Sequence, residues 1–505
     1  MHALLAQTTG FTAPPIDWHA IAPELVLLVT FVVVLVVDAF TDEHDKWLTS
    51  SLTGLGFLGS AIPLLTLALD DGPARELFGG AYVVDDFALV LKAVFIVSGY
   101  LTVLLSTNYI AEGDYWQGEY YNLLLASVLG MTFMASSRDL ISIFIALETL
   151  SMPAYLLAGW RKRTLTGNEA GLKYFLMGTF ASAVMLYGMS LVYGITGTTS
   201  LAGIGAQIGG AWGETPIAAV GIVFILVGFG FKVSAVPFHN WAPDTYEGAP
   251  TPITAYLSVA SKAAGFVALM TLIFVAFMPR DDIYGPLMFV LATATMFIGN
   301  LIALRQTNIV RLFAYSSIAQ AGFMLAPLAT GGESAQVAAD SIRAIVIYIV
   351  IYTAMNFGAF AVIIAVARKT RSGEISSWGG LYQYAPGLTV AMTMFLFALA
   401  GIPPLGGWFA KFQVWRAVVA AETPAGYVMG VIIAVNSVIA LYYYANIARE
   451  MWFQPVPDGD ETPIRVPSAL TIAIGVTVVA TLVFGFLPGT AGHFGDVAAD
   501  LIALG

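Results

Sequence analysis

The sequence predicts an all-α, polytopic membrane protein with about fourteen transmembrane helices, two of them broken, arranged as two inverted five-helix repeats. Three observations carry this. The 505 residues are 58% hydrophobic and only 10% charged, where soluble chains hold about 25% charged residues. Apolar runs long enough to span a bilayer recur along the whole length, and two of them are interrupted by Pro and Gly at similar places in the two halves.

In chain order the runs fall at 20–40, 48–69, 84–107, 119–136, 139–159, 170–195, 215–241, 251–277, 285–304, 309–330, 341–367, 387–417, 426–453 and 468–488. Each suits the roughly 20 residues that a helix needs to cross the hydrocarbon core. The gaps leave no room for a soluble domain, and nothing alternates like a barrel strand. The chain reads as a single membrane domain over 1–505. Within it, 1–110 holds helices one to three, 119–277 a first five-helix repeat, 285–453 a second, and 468–488 a last helix. The seventh run carries Pro237 in GFGFKVSAVPFHNW. The twelfth carries Gly401, Pro403, Pro404, Gly406 and Gly407. Such residues free backbone carbonyls at membrane depth, and paired interruptions point to an ion site at the midplane. An odd number of helices per repeat turns the second copy upside down.

Basic loop residues set the orientation. Loops after odd-numbered runs hold Lys46, Arg161, Lys162, Arg163, Arg305, Arg368, Lys369, Arg371, Arg449 and Arg465, against Arg75, Arg138 and Arg280 after even-numbered ones. This predicts odd-numbered loops in the cytoplasm and the N-terminus outside. No cleavable signal peptide is expected, because residues 1–19 lack the basic-then-apolar order.

The chemistry lies in charges set within apolar runs. Lys232, Lys262, Lys411 and Glu148 sit there, and a charge at bilayer depth costs about 2.5–3.5 kcal/mol even on lenient scales, so it faces a protein interior or wet cavity. Lys232 and His239 are seven apart, two helical turns, which places them on one face if the helix continues. Glu148 is the expected partner of Lys232, either as a switchable proton-holding pair or as a static bridge. Lys262 has Ser258 and Ser261 beside it as a polar stripe, and lies too deep to snorkel easily. Lys411 follows the second break, where freed carbonyls can solvate it; nearer its helix end, it also fits a snorkelling lysine. Lys173 with Glu169 four residues earlier suits a surface pair as well as a modulator of proton uptake. Glu24 and Asp38 read as packing residues, and Asp85, Asp86, Lys92 and Asp340 as charges at helix starts.

Several classes are unsupported. With no cysteine, disulfides and thiolate-bound metals are excluded. His239, Asp244 and Glu247 in FHNWAPDTYEGAP, read as a cytoplasmic loop, make poor metal-ligand geometry, and His2, His19 and His493 are dispersed. No phosphate-binding or nucleophile-elbow motif occurs, so nucleotide binding by this chain is not expected.

The segments GFGFKVSAVPFHNWAPDTYEGAPTPITAYLSVASKAAG, NIVRLFAYSSIAQAGF and ALAGIPPLGGWFAKF closely resemble the antiporter-like membrane subunits of respiratory complex I. The opening APELVLLVTFVVVLVVDAF and the finish near LYYYANIAREMW resemble the subunit N branch. The resemblance implies a proton-translocating subunit of NADH:quinone oxidoreductase in the bacterial plasma membrane. In it Glu148 and Lys232 form the input-side pair, Lys262 the central relay and Lys411 the output-side residue. His239 joins the hydrated connection, and Lys173 with Glu169 modulates uptake. It implies no cofactor in this chain, flavin and iron–sulfur clusters in partner subunits, and other membrane and peripheral subunits plus lipid as partners. Neither nucleic acid nor NADH is expected to bind directly. Two positions depart from the family pattern: Val310 precedes Arg311, and Gln320 stands where a histidine is common. The alternative is a subunit of a multi-subunit cation/proton antiporter, whose chains share the lysine pattern.

Overall fold

The structure, a computed structural model, describes residues 16–41, 47–70, 72–113, 118–210, 214–499 and 501. His2, Lys46 and the acidic positions 42, 43 and 45 lie outside these. The first helices are α1 (Ala22–Phe40) and α2 (Trp47–Ala68), followed by a small antiparallel hairpin of β1 (Arg75–Leu77) and β2 (Tyr82–Val84). Next come α3 (Asp86–Glu112), α4 (Gly118–Ser136), α5 (Leu140–Ala158), α6 (Leu165–Thr196), α7 (Leu201–Ile208), α8 (Pro216–Lys232), α9 (Trp241–Gly248), α10 (Thr251–Tyr256) and α11 (Lys262–Thr271). The second half holds α12 (Asp281–Ala303), α13 (Ile309–Leu325), α14 (Ala335–Thr370), α15 (Leu381–Tyr384), α16 (Pro386–Ala400), α17 (Gly406–Val419), α18 (Pro424–Phe453), α19 (Ser468–Phe486) and α20 (Pro488–Ala498).

Among the described residues, eleven helices are long and apolar enough to cross a membrane. The chain is therefore a multi-pass, all-helical membrane protein. α14 and the continuous helical stretch 251–276 lie at its centre, almost wholly buried, while α1, α6, α18 and α19 present apolar side chains outward. Side chains cap many helix starts: Asp139 accepts from the Ile141 amide at 2.8 Å, and Asn308 from the Val310 and Arg311 amides at 2.9 and 3.2 Å. Each fills an amide that the helix cannot.

Both breaks form, and side chains fill the freed backbone groups. α8 ends at Lys232, and Ser234 has φ +59°. Across this break the Trp241 indole donates to Phe231 O at 3.1 Å, and Thr295 Oγ1 accepts from Val236 N at 2.9 Å. α16 ends at Ala400 before Gly401, at φ +92°. A side chain there meets two obstacles, a left-handed backbone and the Lys411 Cδ, 2.9 Å from where its Cβ would stand.

Four expectations need correction. Lys232 and His239 do not share a helical face, because the chain leaves the helix at Lys232 and turns through residues 233–240 before α9. FHNWAPDTYEGAP is not an open loop: α9 is buried through Trp241, Thr245 and Tyr246 against α6 and α13. Lys92 is not a charge at a helix start; a full turn inside α3, it is wholly buried beside Glu24, which is an ion-pair partner as well as a packing residue. The stretch 251–276 is not uniformly α-helical, since Leu257–Ser261 and Leu272–Ala276 are π-helical turns. Asp38 lies against Gly118, and Asp340 pairs with Arg343.

Close helix crossings rest on small residues, as expected where lipid supplies no hydrophobic drive between helices. A Cβ on Gly130 would stand 2.5 Å from Leu150 N, and one on Gly299 2.7 Å from Ala319 N. Backbone cannot yield as a flexible side chain can. Gly130→Ala and Gly299→Ala are therefore each expected to lower stability by about 1–3 kcal/mol. Gly194→Ala in α6, which meets nothing within 4 Å, should be neutral or stabilising. Thermal unfolding of the detergent-solubilised protein measures all three.

Candidate functional site

Three lysines line the interior, 3%, 1% and 7% exposed at Lys232, Lys262 and Lys411. Each sits where the regular helix fails. Lys232 closes α8 at the first break, Lys262 follows the π-helical turn, and Lys411 lies one turn into α17 beyond the second break. Irregular backbone positions polar atoms at membrane depth that a straight helix keeps to itself.

Neutral partners hold all three. The Lys232 ammonium donates to Ser151 Oγ at 2.8 Å and to the Tyr174 hydroxyl at 3.4 Å. Lys262 donates to Ser317 Oγ at 2.8 Å, and Lys411 to the freed carbonyl of Ala400 at 2.9 Å. Aromatic rings add a second face: the nitrogens lie 5.9 Å from the Tyr174 ring, 5.7 Å from Tyr246 and 4.7 Å from Phe323, within the range of cation–π attraction.

Glu148 and Lys232 do not touch. The Glu148 carboxylate accepts from Ser182 Oγ at 2.6 Å, while Lys232 is bound by Ser151, one turn along α5 from Glu148. The acid and the lysine are thus held by different serines, Ser182 and Ser151. His239 is buried in the turn between α8 and α9, its Nδ1 without a hydrogen-bond partner and close enough to Lys262 for charge interaction.

Polar and aromatic side chains lie between the lysines. Tyr174 stacks on Trp241 with ring centres 4.3 Å apart, and Trp241 meets Tyr246 edge-on at 6.1 Å, the ring that faces Lys262. Ser317 and Gln320 are one turn apart on α13. Gln320 donates to Leu399 O and to the Tyr444 hydroxyl, both at 3.2 Å, and accepts from the Tyr348 hydroxyl. Leu399 adjoins Ala400, which holds Lys411. Asn356 donates to Ser258 Oγ at 2.6 Å behind Lys262.

A charged network lies where α6, α9 and α13 meet. Lys173 pairs with Glu169 and, at 2.6 Å, with Asp244. Asp244 pairs with Arg311 at 2.9 Å, and Arg311 with Glu247 at 2.7 Å. Burial works to raise the Asp244 carboxyl, but hydrogen bonds from Lys173 and Arg311 outweigh it and hold it below the usual range. The network ties α6 and α9 to α13. Among the described residues no group of three histidines or carboxylates could hold a metal ion.

Sequence reasoning found the lysines, Glu148 and the Glu169–Lys173 pair. It missed Ser151, Tyr174, Tyr246, Ser317, Tyr348 and Tyr444. Spacing carried part of that signal: Ser151 lies one turn from Glu148, and SSIAQ sets Ser317 one turn from Gln320. The tyrosines carried none, because an apolar helix uses the same residue for packing.

A family model described as "NADH:quinone oxidoreductase/Mrp antiporter, TM" matches residues 137–437. The chain is 38% identical over 492 residues to NADH-quinone oxidoreductase subunit N of Trichlorobacter lovleyi, covering 96% of this chain and 98% of that one. Among solved structures, a chain of respiratory complex I from Thermus thermophilus with bound aureothin superposes with a TM-score of 0.75 at 31% identity, over 93% of this chain and 98% of that one. A chain of the Mrp complex from Dietzia sp. superposes with a TM-score of 0.82 at 22% identity, over 96% and 98%, a likeness of fold. With that identity carried over nearly the full length of both chains, this protein belongs to the subunit N family of NADH-quinone oxidoreductase.

Proposed function

We propose that the chain is the proton-translocating membrane subunit of an NADH:quinone oxidoreductase. In this reading it carries protons along a row of Glu148, Lys232, Lys262 and Lys411 while partner subunits perform the redox chemistry. The observation that carries it is the row itself: three buried lysines at helix irregularities, each on a neutral acceptor, with hydroxyls, an amide and stacked rings in the space between them. Structural cations are normally fixed by carboxylates or backbone carbonyls or left near water, which leaves Lys232 and Lys262 on serine hydroxyls as the more telling cases. A lysine on a serine or carbonyl is free to exchange its proton, since lysine releases its proton when buried and arginine does not.

With Lys232 on Ser151, one turn along α5 from Glu148, the input side takes a stepwise form. Glu148 receives a proton, Ser151 passes it on, and Lys232 holds it against Tyr174. Lys262, with His239 nearby, is the central station, and Lys411 on the Ala400 carbonyl the last. The Glu169–Lys173–Asp244–Arg311 network adjusts uptake at the first step. Gln320, one turn from Ser317 and hydrogen-bonded to Leu399 O beside Ala400, lies between the second and third stations but takes up no proton.

Fourteen crossings in two inverted repeats, over 119–277 and 285–453, with helices one to three before them and a last helix over 468–488, form the architecture of this reading. Two features support it beyond the paired breaks. The capping residues Asp139 and Asn308 are 169 apart, as are the glycines Gly130 and Gly299 and the backbone amides of Leu150 and Ala319 that they approach. α4 packs on α5 as α12 packs on α13. By that offset Glu148 corresponds to Ser317, which binds Lys262, so both repeats use one face of the same helix for the path. Basic loop residues favour an outside N-terminus in a bacterial plasma membrane. Flavin and iron–sulfur clusters belong to the partner subunits. A cation/proton antiporter subunit is the second reading; its support is a likeness of fold, and the near full-length identity to subunit N relatives favours the first.

Two substitutions test the path. Lys232→Ala breaks no direct ion pair, because the groups that lose a hydrogen bond are Ser151 and Tyr174. Assembly should stay near wild type while the rate of proton pumping falls at least about tenfold and the protons pumped per quinone reduced fall with it; unchanged pumping reduces Lys232 to packing. Lys262→Arg keeps the charge and removes proton release. In reconstituted complex of normal subunit content it should fail nearly as badly as Lys262→Ala, and normal pumping with arginine takes Lys262 off the path.

A further inference from the structure

Outside the proposed repeats, the first helices enclose a second buried charge cluster. Glu24 of α1 and Lys92 of α3 lie 3.0 Å apart, with side chains 3% and 0% exposed. The Lys92 ammonium also donates to the Tyr82 hydroxyl at 2.8 Å, 4.8 Å from the centre of that ring. Asp85, which caps α3, pairs with Arg138 at 2.6 Å, and both charges lie close enough to act on Lys92.

This cluster has more polar atoms than protein partners. Both Glu24 carboxylate oxygens, Ser136 Oγ and Arg138 Nε are buried without a well-directed hydrogen bond, although Lys92 lies 3.0 Å from Glu24 and the Tyr82 hydroxyl stands near both Glu24 and Ser136. A pair kept only for packing has its lone pairs filled by fixed donors. Several unfilled polar atoms around one ion pair suit a pocket that takes up water. A cavity of about 420 Å³ lined by Asp70, Arg75, Asp85 and Asp86 reaches Asp85 at the membrane face where α1 and α3 begin. Asp85 thus belongs to both the cavity and the cluster.

We propose that Glu24, Lys92 and Tyr82 form a second proton-holding site, reached by water from this cavity past Asp85 and Arg138. The inference rests on the proton-translocation reading above. A hydronium ion entering the pocket transfers its proton to the Glu24 carboxylate, giving a carboxylic acid and water. Lys92 remains an ammonium, so the pair passes from net zero to one positive charge. Return of the proton to cavity water restores the ion pair. Tyr82, Asp85 and Arg138 are the other titratable or charged groups facing the pair; Asp85 attracts the positive charge while the proton is held, and Arg138, its ion-pair partner, repels it.

The test uses intact complex in proteoliposomes, with protons pumped per quinone reduced as the readout. The double variant E24L/K92M removes both charges together, which spares a buried pair the penalty of breaking it one-sidedly. Glu24→Gln keeps the shape and removes the titration. Expected is near-normal complex content with a loss of pumping per quinone in either variant. A wild-type ratio in whichever variant assembles overturns the proposal and leaves a static pair. Failure of both to assemble also overturns it, assigning the pair to packing. Wild-type complex run in parallel separates the two claims: if it reduces quinone without pumping, the proposed function fails first.

Discussion

Everything in this fold answers one constraint: an ammonium group held at bilayer depth must be solvated by protein. Bulk water is absent and a regular helix offers no free acceptor. The chain resolves this by breaking or distorting its helices at the lysines. The end of α16 releases the Ala400 carbonyl to Lys411, the π-helical turn precedes Lys262 as it meets Ser317, and the end of α8 leaves Lys232 to Ser151 and Tyr174. The breaks bring orphaned backbone groups of their own, which Trp241, Thr295 and Gln320 satisfy. The irregularities are therefore part of the site rather than damage around it.

The choice of neutral acceptors separates the lysine row from the other ion pairs. Arg138 with Asp85 and Arg311 with Asp244 and Glu247 are charges fixed by opposite charges. Such pairs resist a change of protonation, because either partner alone is left uncompensated. A lysine on a hydroxyl lacks that lock. The same fold thus keeps fixed pairs at the helix ends and lysines on neutral acceptors in the interior, with Glu24 and Lys92 forming a charge pair whose oxygens lack well-directed donors.

Much of this was legible in the sequence, and the rest was hidden for definable reasons. Helix positions followed from run length, and both breaks from Pro237 and from the Gly–Pro cluster at 401–407, since these residues remove donors wherever they stand. The lysines stood out because charge in an apolar run has few explanations. Contacts between distant segments did not: Ser151 with Lys232, Ser317 with Lys262 and Lys92 with Glu24 join residues 81, 55 and 68 positions apart. The Lys232–His239 face failed because a periodicity argument assumes a continuous helix. α9 resembles a loop in sequence because its polar residues form the inter-helix network instead of facing water.

The central claim is that the buried lysines serve one path rather than three separate roles. Loss of a step from a serial path cannot be made worse by losing another, whereas independent contributions add in free energy. The decisive measurement is the proton-to-quinone ratio of Lys232→Ala, Lys411→Ala and the double variant, each in fully assembled complex. A single path predicts that the double variant pumps no less than the poorer of the two single variants. Losses that add between the two sites would contradict it.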